Sequence, residues 1–312
     1  MNKRILEALP LRQFFQEQLD YLGNLLSDHQ ARKSQIENRN KEITNAVETL
    51  VEGTDGRLRA IGNYKKQLRD CTRELLDYID ELVASMPAAL TITKDSFIHE
   101  PLVNMLFINC ETMRTLFCYN PEVRHFFSDP DNKDMDYLYA LLFLNHKEKN
   151  ILGAEINNEI VLRDVQQTHI SFDGHQLLAV CATEEEARQA MRETLFTSVV
   201  KCLRGHITQL RHALSEDEKI QALNHPDRNI NNPEVYIKML VEQLSLPREL
   251  IKLQDNLLKI NSMGIKLPLD SNLSADVLKF YEVEIGDHLR VATIVRYPRC
   301  ELPPKASITR QP

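Results

Sequence analysis

The sequence predicts an α+β protein that is predominantly α-helical, with an N-terminal antiparallel helical hairpin of coiled-coil type followed by a mixed body with short β-hairpins. Three observations support this fold class. Apolar residues recur with a 3.5-residue period over residues 15–50 and again over 58–86. Glycine accounts for only 9 of the 312 residues, which favours helices over a turn-rich β-sandwich. Asp173-Gly174 and Gly286-Asp287 each interrupt a run of strand-forming residues.

The first helical series is a seam whose gaps alternate between four and three residues without a fault. Its members are Phe15, Leu19, Leu22, Leu26, His29, Lys33, Ile36, Asn40, Ile43, Val47 and Leu50. Eight of these eleven residues are apolar, as are seven of nine in the second series, from Leu58 to Met86. Gly53, Asp55 and Gly56 favour a turn between the two, so we expect antiparallel arms of about 55 and 45 Å.

The seam has two interpretations, because the hairpin could pack on the rest of the chain or project to bind a partner protein or a second copy. Lys33 and Asn40 lie where a purely structural coil prefers leucine, and polar seam residues often fix register and partner number. We therefore predict partner contacts on the first arm. The predicted positions are Leu22, Leu26, Lys33, Asn40 and Ile43.

The predicted domains are the hairpin (1–88), a globular body (89–297) and a Pro-rich flexible tail (298–312). In the body, residues 90–93 read as a short strand and 100–119 as a buried helix. A capping box predicts that a helix begins at Thr183 and ends near residue 213. Further helices are predicted to begin at Ser215, Pro233 and residue 247, the last ending at Met263-Gly264.

Two β-hairpins complete the predicted body. The first spans residues 165–181 and turns at Asp173-Gly174, with 159–163 as a third strand. The second spans residues 280–297 and turns at Gly286-Asp287. Both pairs match the residues that tight two-residue turns need, so short hairpins are the expected β component.

The segment LNHPDRNINNPEVY, residues 223–236, contains a candidate loop motif. His225, Pro226 and Asp227 resemble the tripeptide that J-domain co-chaperones place between their second and third helices. The resemblance implies that these three residues contact an Hsp70 partner and stimulate its ATPase. The same residues also suit a plain turn before a helix that starts at Pro233. The acidic run at 216–218 favours the turn, since a J-domain's second helix is basic.

Composition narrows the function classes. The formal charge of −7 gives no basic footprint, so we do not expect nucleic-acid binding, although residues 57–73 form a locally basic stretch. None of the six cysteines forms a C-x-x-C pair, and the longest apolar run has eight residues against the roughly 20 of a membrane span. We therefore expect no membrane span, reduced thiols and a cytoplasmic location.

Catalysis has little support in the sequence. No glycine-rich phosphate loop, nucleophile elbow or H-E-x-x-H pattern occurs, and we predict no cofactor and no metal. Cys110 and Cys118 fall in an apolar segment, where inert buried thiols are usual. The leading hypothesis is a non-enzymatic adaptor or structural subunit of a protein assembly that binds through the hairpin. The alternatives are a hydrolase or transferase with a dispersed site in the body, and a J-domain-like co-chaperone.

Overall fold

The computed structural model describes the backbone of residues 8–157, 160–221 and 233–303. Side chains are described for residues 30, 32–154, 163–213 and 233–303. The helices are α1 (Ala8–Thr54), α2 (Tyr64–Ser85), α3 (Lys94–His99), α4 (Pro101–Leu106), α5 (Cys110–Cys118), α6 (Pro121–Ser128), α7 (Glu184–Gln221), α8 (Pro233–Leu244) and α9 (Pro247–Leu250). The strands are β1 (Leu90–Thr91), β2 (Tyr137–Asn157), β3 (Ile160–Cys181), β4 (Ile251–Ile260), β5 (Lys266–Leu267), β6 (Asp276–Ile285) and β7 (His288–Pro298).

A layer of long helices is built from α1, α2, α7 and α8. Each buries one stripe of apolar residues at a spacing of three or four, as an amphipathic helix does against a core. In α1 the buried stripe includes Ile43, Val47 and Leu50, which are seam residues of the sequence pattern. These stripes form one hydrophobic cluster with the outer face of the sheet, including Leu141 and Phe143. Helices from before residue 88 and strands from after it therefore share one hydrophobic cluster.

The strands form a single curled sheet in the order β3-β2-β7-β6-β4-β5, with β1 paired in parallel with β7 and all other pairs antiparallel. The two ends of this order meet, because His169 bridges Ile265 and the Ile170 N–H donates to the Gly264 carbonyl at 2.8 Å. The sheet therefore curls until these two ends meet. The short helices α3 to α6 pack on the face opposite the long helices, which we call the inner face.

The predicted fold class is wrong for the body. Short separate β-hairpins were expected, whereas the body is organised around one seven-stranded sheet in which β2 has 21 residues and β3 has 22. The predicted helical hairpin also differs from the helices observed. The arms are unequal, at 47 residues in α1 and 22 in α2, and α7 packs against both. The full coiled-coil seam is not tested, since its side chains before residue 30 lie outside those described.

Two local predictions fail because tertiary pairing overrides a local signal. Asp173-Gly174 is not a hairpin turn, since β3 continues through it beside β2 with an irregular register. Gly174 has φ +65°, and the Asn145 amide donates to the Asp173 carboxylate at 3.2 Å, so the pair forms a bulge. The helix predicted from residue 247 gives way after Leu250 to β4, whose residues all pair with β6.

Two helix boundaries also differ from prediction. The apolar segment 100–119 contains α4 and α5, and Asn109 caps α5 by accepting the Thr112 N–H at 2.7 Å. The expected new helix at Ser215 is absent from the described backbone, because α7 runs unbroken to Gln221. Serine also occurs inside helices, so the start signal at Ser215 did not by itself end α7.

Other boundaries are confirmed. The β6–β7 hairpin turns at Gly286, which has φ +56°, with Ile285 paired to His288. Helix α8 begins at Pro233. Helix α7 begins after Thr183, whose hydroxyl accepts the Glu186 N–H at 3.2 Å. The strand predicted at residues 90–93 is present as the two residues of β1.

Candidate interaction surface on the first helix

Helix α1 is longer than the helices that pack against it. Arg39 pairs with Asp80 at 2.9 Å, and α2 ends five residues after Asp80, which is level with about residue 34 of α1. Arg192 of α7 pairs with Glu42, and α7 begins eight residues before Arg192, again level with about residue 34. In the described backbone, α1 therefore extends beyond the end of α2 and the start of α7.

The described side chains agree with this geometry. Those of residue 30 and residues 32–38 are all exposed, and Arg39 is the first half-buried residue. Ile36, a seam residue, is 63% exposed. We call residues 8–38 the α1 extension. At 1.5 Å per residue it is about 45 Å long.

An ion-pair network anchors the extension where it leaves the layer. Arg39 pairs with Glu42, Asp77 and Asp80, and Arg192 pairs with Glu42 and Asp80 from the other side. Burial acts to raise the pKa of Glu42, but hydrogen bonds from Arg39 and Arg192 outweigh it and leave that pKa lowered. The network ties α1, α2 and α7 together at one level and fixes the direction of the extension.

The structure separates the residues predicted to contact a partner. Lys33 is exposed on the extension. Asn40 is exposed but accepts a hydrogen bond from Arg69 of α2 at 2.7 Å. Ile43 is only 2% exposed and belongs to the core, so it offers no surface to another chain. Leu22 and Leu26 lie on α1 within the extension, where side chains are outside those described.

The second predicted contact, His225-Pro226-Asp227, lies outside the described residues, which stop at 221 and resume at 233. The structure therefore places neither the J-domain-like motif nor the plain turn that the same residues suit.

At the opposite end of α1, Asp55 links the end of this helix to α7 through an ion pair with Arg211. It is 8% exposed and pairs with Arg57 and Arg211, each at 2.8 Å, and both guanidinium groups lie over the ring of Tyr236. Burial acts to raise the pKa of Asp55, but hydrogen bonds from Arg57 prevail and leave it lowered. Sequence reasoning placed Asp55 in a turn without its distant partner Arg211, because nothing local in the sequence signals a contact between residues so far apart.

Four of the six basic residues in the stretch 57–73 form ion pairs with acidic groups. Arg57 pairs with Asp55, Arg59 and Lys65 pair with Glu48, and Arg73 pairs with Asp70. Guanidinium and ammonium groups already held by carboxylates make a weak surface for phosphates.

A cysteine–histidine pair is the first arrangement that bears on the enzyme alternative. Cys202 Sγ lies 3.7 Å from His206 Nε2, and His206 Nδ1 lies 3.0 Å from the Gln243 side-chain oxygen. This order of groups resembles that of a thiol nucleophile with an oriented base. However, burial and Asp287 raise the pKa of the Cys202 thiol, which disfavours the reactive thiolate. A Cβ added to Gly286 would lie 2.7 Å from the sulfur, so the β6–β7 turn covers it.

Cys110 and Cys118, named from the sequence, do not form a better site. Cys118 is 1% exposed and its sulfur lies 3.3 Å from the Tyr297 hydroxyl. Cys110 is half-buried at the start of α5. In the part of the chain with described side chains, no three His, Cys, Asp or Glu groups are placed to hold a metal ion.

A buried polar cluster lies on the inner face of the sheet. His146 Nδ1 is 3.1 Å from the Glu282 carboxylate, which also accepts the Asn256 amide at 2.6 Å. The rings of Phe172 and Phe280 each have their centroid 5.4 Å from that of His146. These contacts connect β2, β3, β4 and β6, so we assign the cluster a structural role in holding the curled sheet.

An open groove of about 730 Å³ lies between α6 and the end of β3. Glu122 and His125 line it and are exposed, and Asp129 is half-buried. Groups that water solvates this freely lack the excluded environment that strengthens electrostatic catalysis. The groove therefore does not favour the enzyme alternative.

Comparison of the chain with protein-family models, with curated proteins and with solved structures gave no significant match. Among the described helices, none is both long and apolar enough to cross a membrane. Among the described features of the chain, the α1 extension is the most distinctive.

Proposed function

We propose that this protein is a non-enzymatic adaptor or structural subunit, which binds protein partners through the α1 extension. The single observation that supports this most is the mismatch in helix length. Helix α1 continues for about 40 Å beyond the level at which α2 ends and α7 begins, and an exposed apolar residue, Ile36, lies on its seam near that level. A helix presenting an apolar stripe is a common means of binding another protein.

The anchor of the extension supports the same role. The Arg39–Arg192 network joins α1, α2 and α7 next to the exposed turns of α1. It therefore attaches the extension firmly to the helical layer. A cytoplasmic location belongs to the proposal, and it is supported by six free cysteines, of which only Cys300 is exposed.

Quantitative affinity purification from the native cell tests the proposal. The full chain is compared with a Leu22→Glu, Leu26→Glu double variant, which places charge on the seam, and with Asn24→Glu as a control off the seam. We expect specific partners to be lost with the double variant and retained with the control. Equal retention by all three proteins would refute binding through the extension.

A His225→Gln arm of the same purification tests the alternative site. Loss of partners with this variant, but not with the seam variant, would move the interaction to the loop at residues 225–227. In that case the co-chaperone hypothesis would replace the proposed one.

A further inference from the structure

The α1 extension has a geometry that fits a second copy of itself. We propose that two chains associate through their α1 extensions as an antiparallel pair of helices, with residue i of one chain opposite residue 41 − i of the other. The inference rests on the proposed function and names the partner of the same surface. It follows from the continuity of the seam, the position of α2 and the order of apolar and polar residues.

The apolar seam is continuous between the extension and the helical layer. The alternating four–three spacing runs without a fault from the extension into the layer. There the same stripe is buried at Ile43, Val47 and Leu50, which are 2%, 2% and 0% exposed. In residue order, the seam of the extension is thus a direct continuation of the face that packs in the layer. A helix docked on the extension would therefore pack on the same face of α1 as the layer does, but closer to the N-terminus of α1.

The position of α2 decides the orientation of the second copy. In a parallel pair, the partner's α1 would continue along the seam past Arg39 and enter the space that α2 fills. Two packed helices have axes only about 8–10 Å apart, so both cannot lie on this face. In an antiparallel pair the partner's Ala8 lies opposite residue 33, and its helix begins before the level of Arg39. The two folded layers then stand at opposite ends.

The residue order favours this register. A sum of 41 places Phe15 opposite Leu26 and Leu19 opposite Leu22, which joins all the large apolar seam residues of residues 15–26 in four adjacent layers. Lys33 then falls opposite Ala8 at the end of the pair, where its ammonium group reaches water. A parallel register would instead set Lys33 against Lys33, a repulsion between like charges.

Charge exchange tests the register with the full chain. Leu19→Lys and Leu22→Glu variants are each measured by light scattering over a wide range of concentration, with Asn24→Glu as control. We expect the wild type and the control to dimerise, and each seam variant to have a dimer dissociation constant raised at least about 100-fold. Mixing the two seam variants should restore dimer, because the introduced lysine of one chain then lies opposite the introduced glutamate of the other. Failure of the mixture to dimerise would overturn the antiparallel register.

A distance measurement gives an independent readout. Spin labels at Ser34→Cys, an exposed position, are placed in a Cys300→Ser background, and the same background without the new cysteine corrects for labelling elsewhere. The antiparallel pair predicts a separation of about 40 Å between the two labels, from about 27 residues at 1.5 Å each. A separation under about 20 Å would show a parallel pair and refute the inference.

The two proposals fail in different ways. A wild-type chain that remains monomeric at all concentrations refutes self-association. If partners are still lost with the seam double variant in the affinity purification, the adaptor function stands with a different protein on the extension. If dimers form as expected but all partners are retained by the monomeric seam variants, the extension serves self-association alone and the proposed adaptor function is refuted.

Discussion

Gly53 offers a sharp test of how α1 packs on α7. The residue lies in the last turn of α1, where the sequence predicts a turn between hairpin arms. A Cβ built on Gly53 would lie 2.4 Å from Cγ1 of Val200, whereas carbon atoms in contact are normally about 3.5–4.0 Å apart. Val200 is 4% exposed and sits on a helix, where a valine side chain has essentially one rotamer. The clash therefore cannot be relieved by a simple rotation.

The magnitude follows from two opposing effects. Overpacking costs about 1–3 kcal/mol, and replacing a helical glycine by alanine gains about 0.5–1 kcal/mol. We expect Gly53→Ala to lower the free energy of unfolding by about 1–2 kcal/mol. Val200→Ala alone leaves a cavity and should cost about 2–3 kcal/mol. In the double variant the clash is gone and the cavity is partly filled, so the coupling between the sites should be favourable by about 2 kcal/mol.

Urea unfolding followed by circular dichroism measures all four proteins of this cycle. Gly205→Ala is the matched control, because it is also a helical glycine but has no atom within 4 Å of the added Cβ. That control should be stabilised by about 0.5–1 kcal/mol. If Gly53→Ala is as stable as the control, or if the two substitutions add within about 0.5 kcal/mol, the close contact between α1 and α7 is refuted.

Three further predictions test other contacts. Asp55→Asn should lower stability by about 1–3 kcal/mol at neutral pH, since Asp55 is 8% exposed and bonds two arginines. The pKa of Asp55 is lowered in the folded state, so its contribution to the free energy of unfolding is complete above the unfolded pKa of about 3.9 and is lost as the pH falls through the lower folded pKa. The stabilities of wild type and variant should therefore converge at low pH. A difference in stability that persists at low pH would contradict the assignment. Arg192→Met should cost about 1–2 kcal/mol, because Glu42 and Asp80 are partly exposed and keep Arg39 as a partner. The lost link to α7 should increase hydrogen exchange in its first turns, and unchanged exchange there would count against the anchor. Alkylation mapped by mass spectrometry at neutral pH should modify exposed Cys300 first and the buried Cys71 and Cys118 last, since Cys118 is 1% exposed and burial raises the pKa of Cys71 to about 11. Early modification of Cys202 would reopen the enzyme alternative.

Sequence reasoning was most successful where local signals decide a structure. The apolar seam at Ile43, Val47 and Leu50 is the buried stripe of α1, because helical periodicity depends only on residues three and four apart. The turn at Gly286 was found because a positive φ favours glycine and the flanking strands pair with each other. The same logic placed the start of α8 at Pro233, whose missing N–H costs nothing there.

The extent of the sheet depended on tertiary pairing. Asp173-Gly174 has the residues of a tight turn, yet β2 runs beside it and keeps the backbone groups on either side in one ladder. Residues 251–260 have apolar spacing that also suits a helix, but β6 offers hydrogen bonds along their whole length. A segment compatible with both structures takes the one for which a partner strand is present.

For the candidate interaction surface, the sequence by itself determined the seam and its polar interruptions, because these are properties of residue order. Only the tertiary structure decided which part of the seam is used inside the chain. Helices α2 and α7 lie beside α1 only from the level of about residue 34 onward. Ile43 lies well inside this region and is buried, whereas Ile36 and Lys33 lie at its edge and are exposed. Where a helix loses its neighbours depends on the lengths of other helices, and no local pattern in α1 contains that information.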